Sequence, residues 1–109
     1  MSYDFNMKID TGSGKMFYLY EDINYTYNVS AMYRKAFQDD EGINILHRMK
    51  GIDCIPLIES AINSMQIDAD NYRLMNPPNG WGNYEGALNV LVKILEWCKE
   101  SPCATFNIG

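Results

Sequence analysis

The sequence predicts an α+β fold: a small antiparallel sheet of about three strands, covered on one face by three to four helices. Apolar and polar residues alternate with a period of two over residues 3–9 and 103–108, which is typical of half-buried strands. Apolar residues recur every three or four positions between them, most strongly over Tyr84–Glu100, which is typical of amphipathic helices. One domain spanning residues 1–109 accommodates all of these elements.

The first strand is expected to form a hairpin with residues 16–21, which read MFYLYE. The intervening residues 11–15 contain glycines that can adopt the positive φ of a tight turn. A polar segment, residues 21–30, then leads into a helix over residues 31–38, with Ser30 as its expected N-cap.

Three further helices, and one or two separate helical turns, are expected before the last strand. A short helix over residues 43–49 should end at Gly51, and Asp53 should cap the next helix. Residues 68–72 predict one or two helical turns, which must end before the Asn-Pro sequence. The last and strongest helix, Tyr84–Glu100, carries an apolar stripe broad enough to lie across a sheet.

Composition and charge exclude several classes of protein. Hydrophobic residues make up 47% of the chain and charged residues 21%, which is ordinary for a globular protein and unlike a disordered one. The net charge of -5 disfavours binding to nucleic acid but suits a partner with a basic groove. We find neither a signal peptide nor a membrane-spanning segment, so we expect a cytoplasmic protein.

The residues that usually carry catalysis or metals are few. Cys54, Cys98 and Cys103 show no C-x-x-C spacing and are expected to be buried free thiols. The single histidine, His47, lies in a helical segment without a nucleophile motif, so a packed or solvent-facing role is expected. We therefore predict no enzyme activity, no metal and no cofactor.

Two polar segments are unusually rich in rings and amides. Residues 24–28 read NYTYN, and residues 76–86 read NPPNGWGNYEG, where glycines let the main chain approach a ligand closely. Rings, amides and backbone N–H groups at a helix N-terminus suit a base, a sugar and a phosphate. The structural alternative is that Trp81 packs as a core anchor while Asn83 caps the last helix. The expected ligand contacts are Asn24, Tyr25, Thr26, Tyr27, Asn28, Arg34, Asn79, Gly80, Trp81, Gly82, Asn83 and Tyr84.

The chain resembles a family of small proteins found in phages and prophage-bearing bacteria. The resemblance rests on N-[IY]-T-[HY]-N at residues 24–28, N-P-x-N-G-W-G-x-Y-x-G at residues 76–86 and C-x-x-x-P-x-A at residues 98–104. Many members carry histidine where this chain has Tyr27, which argues against chemistry that needs an imidazole there. The resemblance implies a role against bacterial immunity, either by sequestering a nucleotide-derived signal or by blocking a nuclease. If a phage encodes the protein, it is expected to act in the cytoplasm of the host cell.

Two functions from different classes follow, beside a third possibility of a scaffold or regulatory protein. In the first, the rings stack on a nucleobase and Arg34, Lys35 or Arg73 meets the phosphates. In the second, the protein is an acidic, anti-CRISPR-like inhibitor that occupies a DNA-binding groove of a host nuclease. The carboxylates of that inhibitor surface are Asp39, Asp40, Glu41, Asp68 and Asp70. The partner is thus a small molecule or a host defence protein, with no direct nucleic acid and no membrane, and a homo-oligomer can form through the edge at residues 103–108.

Overall fold

The computed structural model describes residues 2–10 and 14–109 and has the predicted α+β architecture. Its strands are β1 (Ser2–Asp10), β2 (Met16–Tyr18), β3 (Ile23–Thr26) and β4 (Thr105–Ile108). Its helices are α1 (Ser30–Phe37), α2 (Gly51–Ile67), α3 (Ala69–Arg73) and α4 (Tyr84–Glu100), with 3-10 turns at Tyr27–Val29 and Gly42–Leu46. The glycine turn expected over residues 11–15 falls mostly on residues 11–13, outside the described residues.

Strand β1 is the centre of an antiparallel sheet. Phe5 pairs with Ile23 of β3 and with Ile108 of β4, and Lys8 pairs with both β2 and β4. When one residue pairs with two strands, those strands lie on opposite edges of its own strand. Strand β4 therefore occupies one edge of β1, while β2 and β3 share the other. The predicted hairpin and last strand are confirmed. Strand β3 was missed, because its side chains are polar or only half-buried and leave no clear alternation.

Asn6 joins the two strands that share an edge of β1. The segment between Tyr18 and Ile23, which joins β2 to β3, is two residues longer than the part of β1 between their partners Lys8 and Phe5. The extra residues form a bulge. The buried Asn6 amide fills it: Nδ2 donates to the Tyr20 carbonyl (2.8 Å) and to the Asp22 carboxylate, while Oδ1 accepts from the Tyr20 N–H (3.3 Å). The side chain thus supplies the hydrogen bonds that the interrupted ladder lacks.

The helices cover the face of β1 that carries Tyr3, Phe5 and Met7, as predicted. Helices α2 and α4 pack against each other and supply most of the helical side of the core. The buried Tyr33 hydroxyl has a helical carbonyl as its partner, since it donates to Ala87 O at 3.0 Å. Burial raises the pKa of Tyr33 well above its ordinary value, so this hydroxyl remains a donor.

Several predicted helix boundaries are wrong. Ser30 is the first residue of α1, and it is Thr26 that caps the preceding 3-10 turn, by accepting from the Asn28 N–H. Gly51 opens α2 instead of ending a helix. Its lack of a side chain makes room for Ser101 O, which would lie 2.8 Å from a Cβ there. Asp53 therefore lies in the first turn of α2 and is not its N-cap. The helix expected over residues 43–49 is the shorter 3-10 turn.

The outer edge of β4 is closed by the chain that precedes α2. Arg48 N–H donates to Phe106 O at 2.8 Å, and Phe106 N–H donates to Met49 O at 2.7 Å. His47 Nδ1 accepts from the Ile108 N–H at 3.0 Å, so the histidine has a structural partner. The edge at residues 103–108 is therefore paired within the chain, and the open edge expected there from the sequence is wrong.

The cysteines divide into two groups. Cys54 and Cys98 are buried and free, as predicted, whereas Cys103 is exposed, so its predicted burial is wrong. A hydrogen bond with Cys98 and burial raise the pKa of the Cys54 thiol, which stays protonated. Among the described residues, no group of three or more His, Cys, Asp or Glu side chains could bind a metal ion together. None of the described helices combines the length and the apolar character needed to span a membrane.

Candidate functional site

The two polar segments meet in space. Tyr25, on β3, directs its hydroxyl at the residue before α4, where Oη accepts from the Asn83 N–H at 3.1 Å. The same hydroxyl lies 3.4 Å from the Asn83 carbonyl, to which it donates. These bonds fix the edge strand of the sheet to the N-terminus of the last helix, although the two residues are far apart in sequence.

Two glycines make this close approach possible. Gly82 has φ +88°, and a Cβ on it would lie 2.5 Å from Thr26 Cγ2 and 3.0 Å from Val29 Cγ1. Gly86, in the first turn of α4, lies so close to Tyr25 that a Cβ would overlap the phenol oxygen. By contrast, Gly80 has φ +77° and open space around it, so only the turn requires a glycine there.

Asparagine side chains hold the loop of residues 76–83 in shape. Asn76 Oδ1 accepts from the Tyr84 N–H at 2.8 Å, and Asn79 Oδ1 accepts from the Trp81 N–H at 3.0 Å. Asn83 Oδ1 accepts from the Gly86 N–H at 2.7 Å and is the N-cap of α4, as the structural alternative held. The amides of the loop itself therefore stabilise its shape.

Asn83→Ala is expected to lower the free energy of unfolding by about 1 kcal/mol, because α4 loses its side-chain cap. Urea unfolding followed by far-ultraviolet circular dichroism measures the change. Asn89→Ala, at an exposed position inside the same helix, is the matched control and should leave stability unchanged or slightly raised. Equal losses in the two variants would contradict the capping role.

A cleft of about 690 Å³ opens between β3 and the loop. Its volume lies within the range of small-molecule sites. The Trp81 side chain is 70% exposed at this cleft, so its ring is not the core anchor that the structural alternative proposed. The residues that line the cleft are Ser2, Asn24, Tyr25, Thr26, Asn28, Asn79, Trp81 and Gly82.

None of the described residues that line the cleft is charged. Asn24 Nδ2 donates to Ser2 Oγ at 3.0 Å and to Asp4 Oδ1 at 2.6 Å, so the Asp4 carboxylate is paired with an amide of the lining. The Asn28 and Asn79 amides and the Thr26 hydroxyl add neutral donors and acceptors beside the indole. This chemistry suits a neutral, flat group with several polar edges.

No protein-family model, curated protein or solved structure matches this chain. What the cleft binds therefore has to be inferred from its own residues. Most of the expected ligand contacts are brought together in it, namely Asn24, Tyr25, Thr26, Asn28, Asn79, Trp81 and Gly82. Ser2 also lines the cleft and was missed, because its place depends on the pairing Ser2↔Thr26 between β1 and β3.

Tyr84 does not contribute a stacking surface, and that expectation is wrong. Its ring is buried beside Tyr72, with the ring centroids 6.2 Å apart, and its hydroxyl donates to Met65 O at 2.9 Å. Tyr84 is the first residue of α4 and faces the core, so its ring anchors the helix. Asn83 is likewise occupied by capping, and Gly80 serves the turn.

Tyr27 and Arg34 lie outside the cleft lining. The Tyr27 ring packs edge-on against Tyr3, with centroids 4.4 Å apart, at the end of the helical layer. Arg34 donates from Nη1 to Ser30 Oγ at 3.2 Å, within its own helix. The expected contacts from these two residues therefore do not form around this cleft.

The other proposed phosphate-binding cations are engaged elsewhere. Lys35 Nζ lies 2.8 Å from Asp68 Oδ2, and Arg73 Nε lies 3.0 Å from Glu85 Oε1. The hydrogen bond from Lys35 holds the pKa of the Asp68 carboxyl below its usual value, and Arg73 does the same for Glu85. Both carboxylates therefore stay ionised beside their cations, and neither cation lines the cleft.

Proposed function

We propose that the protein is a non-enzymatic binding module that sequesters a nucleotide-derived small molecule. The base and sugar of the ligand occupy the cleft between β3 and the loop of residues 76–83. One observation carries the proposal: the indole of Trp81 is 70% exposed in a cleft lined otherwise by neutral amides and hydroxyls. An aromatic ring left in water at a concave polar site is typical of ligand recognition.

The lining chemistry supports a nucleoside as the recognised part. Stacking of a base on an aromatic side chain contributes about 1–3 kcal/mol. The Asn28 and Asn79 side chains each offer an amide, a group that can donate to and accept from the edge of a base. The hydroxyls of Ser2 and Thr26 suit a ribose, although Thr26 Oγ1 already accepts from the Asn28 N–H.

The neutral lining of the cleft also indicates that the phosphate groups of the ligand are not recognised. Because the described residues around the cleft include no cation, phosphate groups should project into solvent instead of being bound. A nucleoside and its phosphorylated forms should therefore bind with similar affinity and with little dependence on salt. This differs from the expectation that Arg34 meets the phosphates.

The resemblance to small phage proteins suggests what such binding is for. A protein that holds a nucleotide-derived signal of bacterial immunity lowers its free concentration in proportion to the amount of protein present. Such a role needs affinity and abundance but no catalytic group.

Isothermal titration against nucleosides, cyclic nucleotides and ADP-ribose derivatives tests the proposal. Binding of at least one compound, with equal affinity at low and high salt, is the expected result. Trp81 fluorescence gives an independent signal in a Trp97→Phe variant, because Trp97 stacks on Tyr20 elsewhere at 4.7 Å. Absence of heat and of quenching across the whole panel would contradict the proposal.

The alternative proposal, an acidic inhibitor of a nuclease, has less support. Two of its carboxylates form ion pairs, Asp68 with Lys35 and Asp70 with Arg73. A third, Asp39, accepts from the Glu41 N–H and fixes a turn. The negative charge left to imitate a phosphate track is therefore smaller than the sequence suggests.

A further inference from the structure

The end of the sheet remote from the cleft carries an apolar ribbon. Ile9 of β1 and the four residues 16–19 have side chains that are 39% to 61% exposed. Ile9 continues the alternation of the core face of β1, and its cross-strand partner Phe17 lies on the same face. The helices do not bury these two side chains, so apolar surface that is covered elsewhere in the sheet meets water here.

The backbone of the same ribbon has an open edge. Leu19 N–H donates to Met7 O at 2.9 Å, so Leu19 and, two residues earlier, Phe17 direct their backbone groups toward β1. Met16 and Tyr18 must then direct theirs away from β1, because neighbouring residues of a strand point in opposite directions. Among residues 2–10 and 14–109, no other element forms a backbone hydrogen bond with Met16 or Tyr18.

We infer that a second copy of this chain pairs with β2 through this edge, antiparallel and about a two-fold axis. The outward groups fix the register: Met16 of each copy lies opposite Tyr18 of the other, and the two Phe17 rings meet near the axis. The pairing forms four backbone hydrogen bonds and joins the sheets of the two copies into one. It also covers the Phe17 side chains with each other.

The charges that flank β2 favour a second copy of the chain as the partner of this edge. Open edges are usually protected by lysine or proline, but residues 16–20 carry neither, and charges lie only at the two ends. Lys15 precedes the strand, while Glu21 and Asp22 follow it. Antiparallel pairing of two identical strands brings the positive end of each close to the negative end of the other, whereas parallel pairing would align like charges.

The dimer leaves the proposed ligand site accessible. Ser2 lines the cleft, whereas Ile9 lies seven residues further along the same strand, about 23 Å away at the rise of a strand. The two clefts therefore lie at opposite ends of the joined sheet. Dimer formation does not depend on the proposed function, and either can fail without the other.

Sedimentation velocity over about a thousandfold range of protein concentration tests the dimer. The wild-type protein should shift from monomer to dimer as concentration rises. Tyr18→Pro should remain monomeric and folded, since proline removes an outward N–H but no hydrogen bond to β1. Phe17→Lys should also remain monomeric, whereas Ile67→Lys, at another exposed apolar position, should dimerise as the wild type does.

Exchanging the charges at the two ends of β2 distinguishes this pairing from non-specific association through the apolar ribbon. Lys15→Glu should weaken the dimer about tenfold, while Lys93→Glu, which changes net charge equally at an exposed site on α4, should weaken it far less. The double variant with Lys15→Glu and Glu21→Lys should recover wild-type affinity. A monomer at every concentration, or a dimer insensitive to these changes, would overturn the inference.

Discussion

Trp81→Ala is expected to weaken ligand binding about tenfold to a hundredfold while changing the free energy of unfolding by less than about 0.5 kcal/mol. The two effects separate because the indole is 70% exposed and contributes little to the core, although it forms the flat wall of the cleft. Isothermal titration with the compound that binds the wild-type protein measures the first effect. Urea unfolding measures the second.

Tyr84→Phe is the matched control, because it changes the other aromatic residue of the same sequence motif. The buried phenol donates to Met65 O at 2.9 Å, so loss of the hydroxyl should cost about 1 kcal/mol of stability. Its ring stays in the core and ligand affinity should not change. If Trp81→Ala proved to be the destabilising variant of the two and left affinity intact, the cleft would not be the binding site.

Gly86→Ala is expected to lower the free energy of unfolding by about 1–3 kcal/mol and to abolish ligand binding. The added methyl group would overlap the Tyr25 phenol oxygen, so the ring must move. Movement breaks the bonds between Tyr25 and the Asn83 backbone, which hold β3 against the loop and thereby form the cleft. Urea unfolding and titration of the same preparation measure both losses.

A Tyr25→Phe background tests this explanation by a double-mutant cycle. Without the hydroxyl, the atom that the new methyl group overlaps most is gone, although the ring carbon Cζ of residue 25 would still lie 2.8 Å from it. Gly86→Ala should therefore cost less stability when combined with Tyr25→Phe than it does in the wild-type protein. An equal cost in both backgrounds would show that the overlap is not the cause.

How much of the fold the sequence predicts depends on how local each signal is. Helix α4 was predicted at its observed bounds, because its apolar stripe and the Asn83 cap are properties of neighbouring residues. Strands β1 and β4 were predicted for the same reason. The boundary at Gly51 was predicted wrongly. The sequence suggested a glycine that ends a helix, whereas this glycine makes room for Ser101 O at the end of another helix.

The candidate site shows the same division. The sequence identified both segments by their rings, amides and glycines, but it treated Trp81 and Tyr84 alike. Helix geometry separates them: Tyr84 starts α4 on its core face, whereas Trp81 precedes the helix on a loop and points to solvent. The cations expected at the site, such as Lys35, found carboxylate partners that no local pattern reveals.

By itself, the sequence determined the α+β class, the strongest helix and the two segments that contain most of the cleft, because periodicity and turn preference act over a few residues. Only the tertiary structure decided that the segments meet, that Ser2 joins them and that the cleft has a neutral lining. The physical reason is that these facts depend on the pairing of β3 with β1 and on space left by Gly82 and Gly86. Such contacts join residues that are distant along the chain, so a pattern within a short stretch of sequence does not predict them.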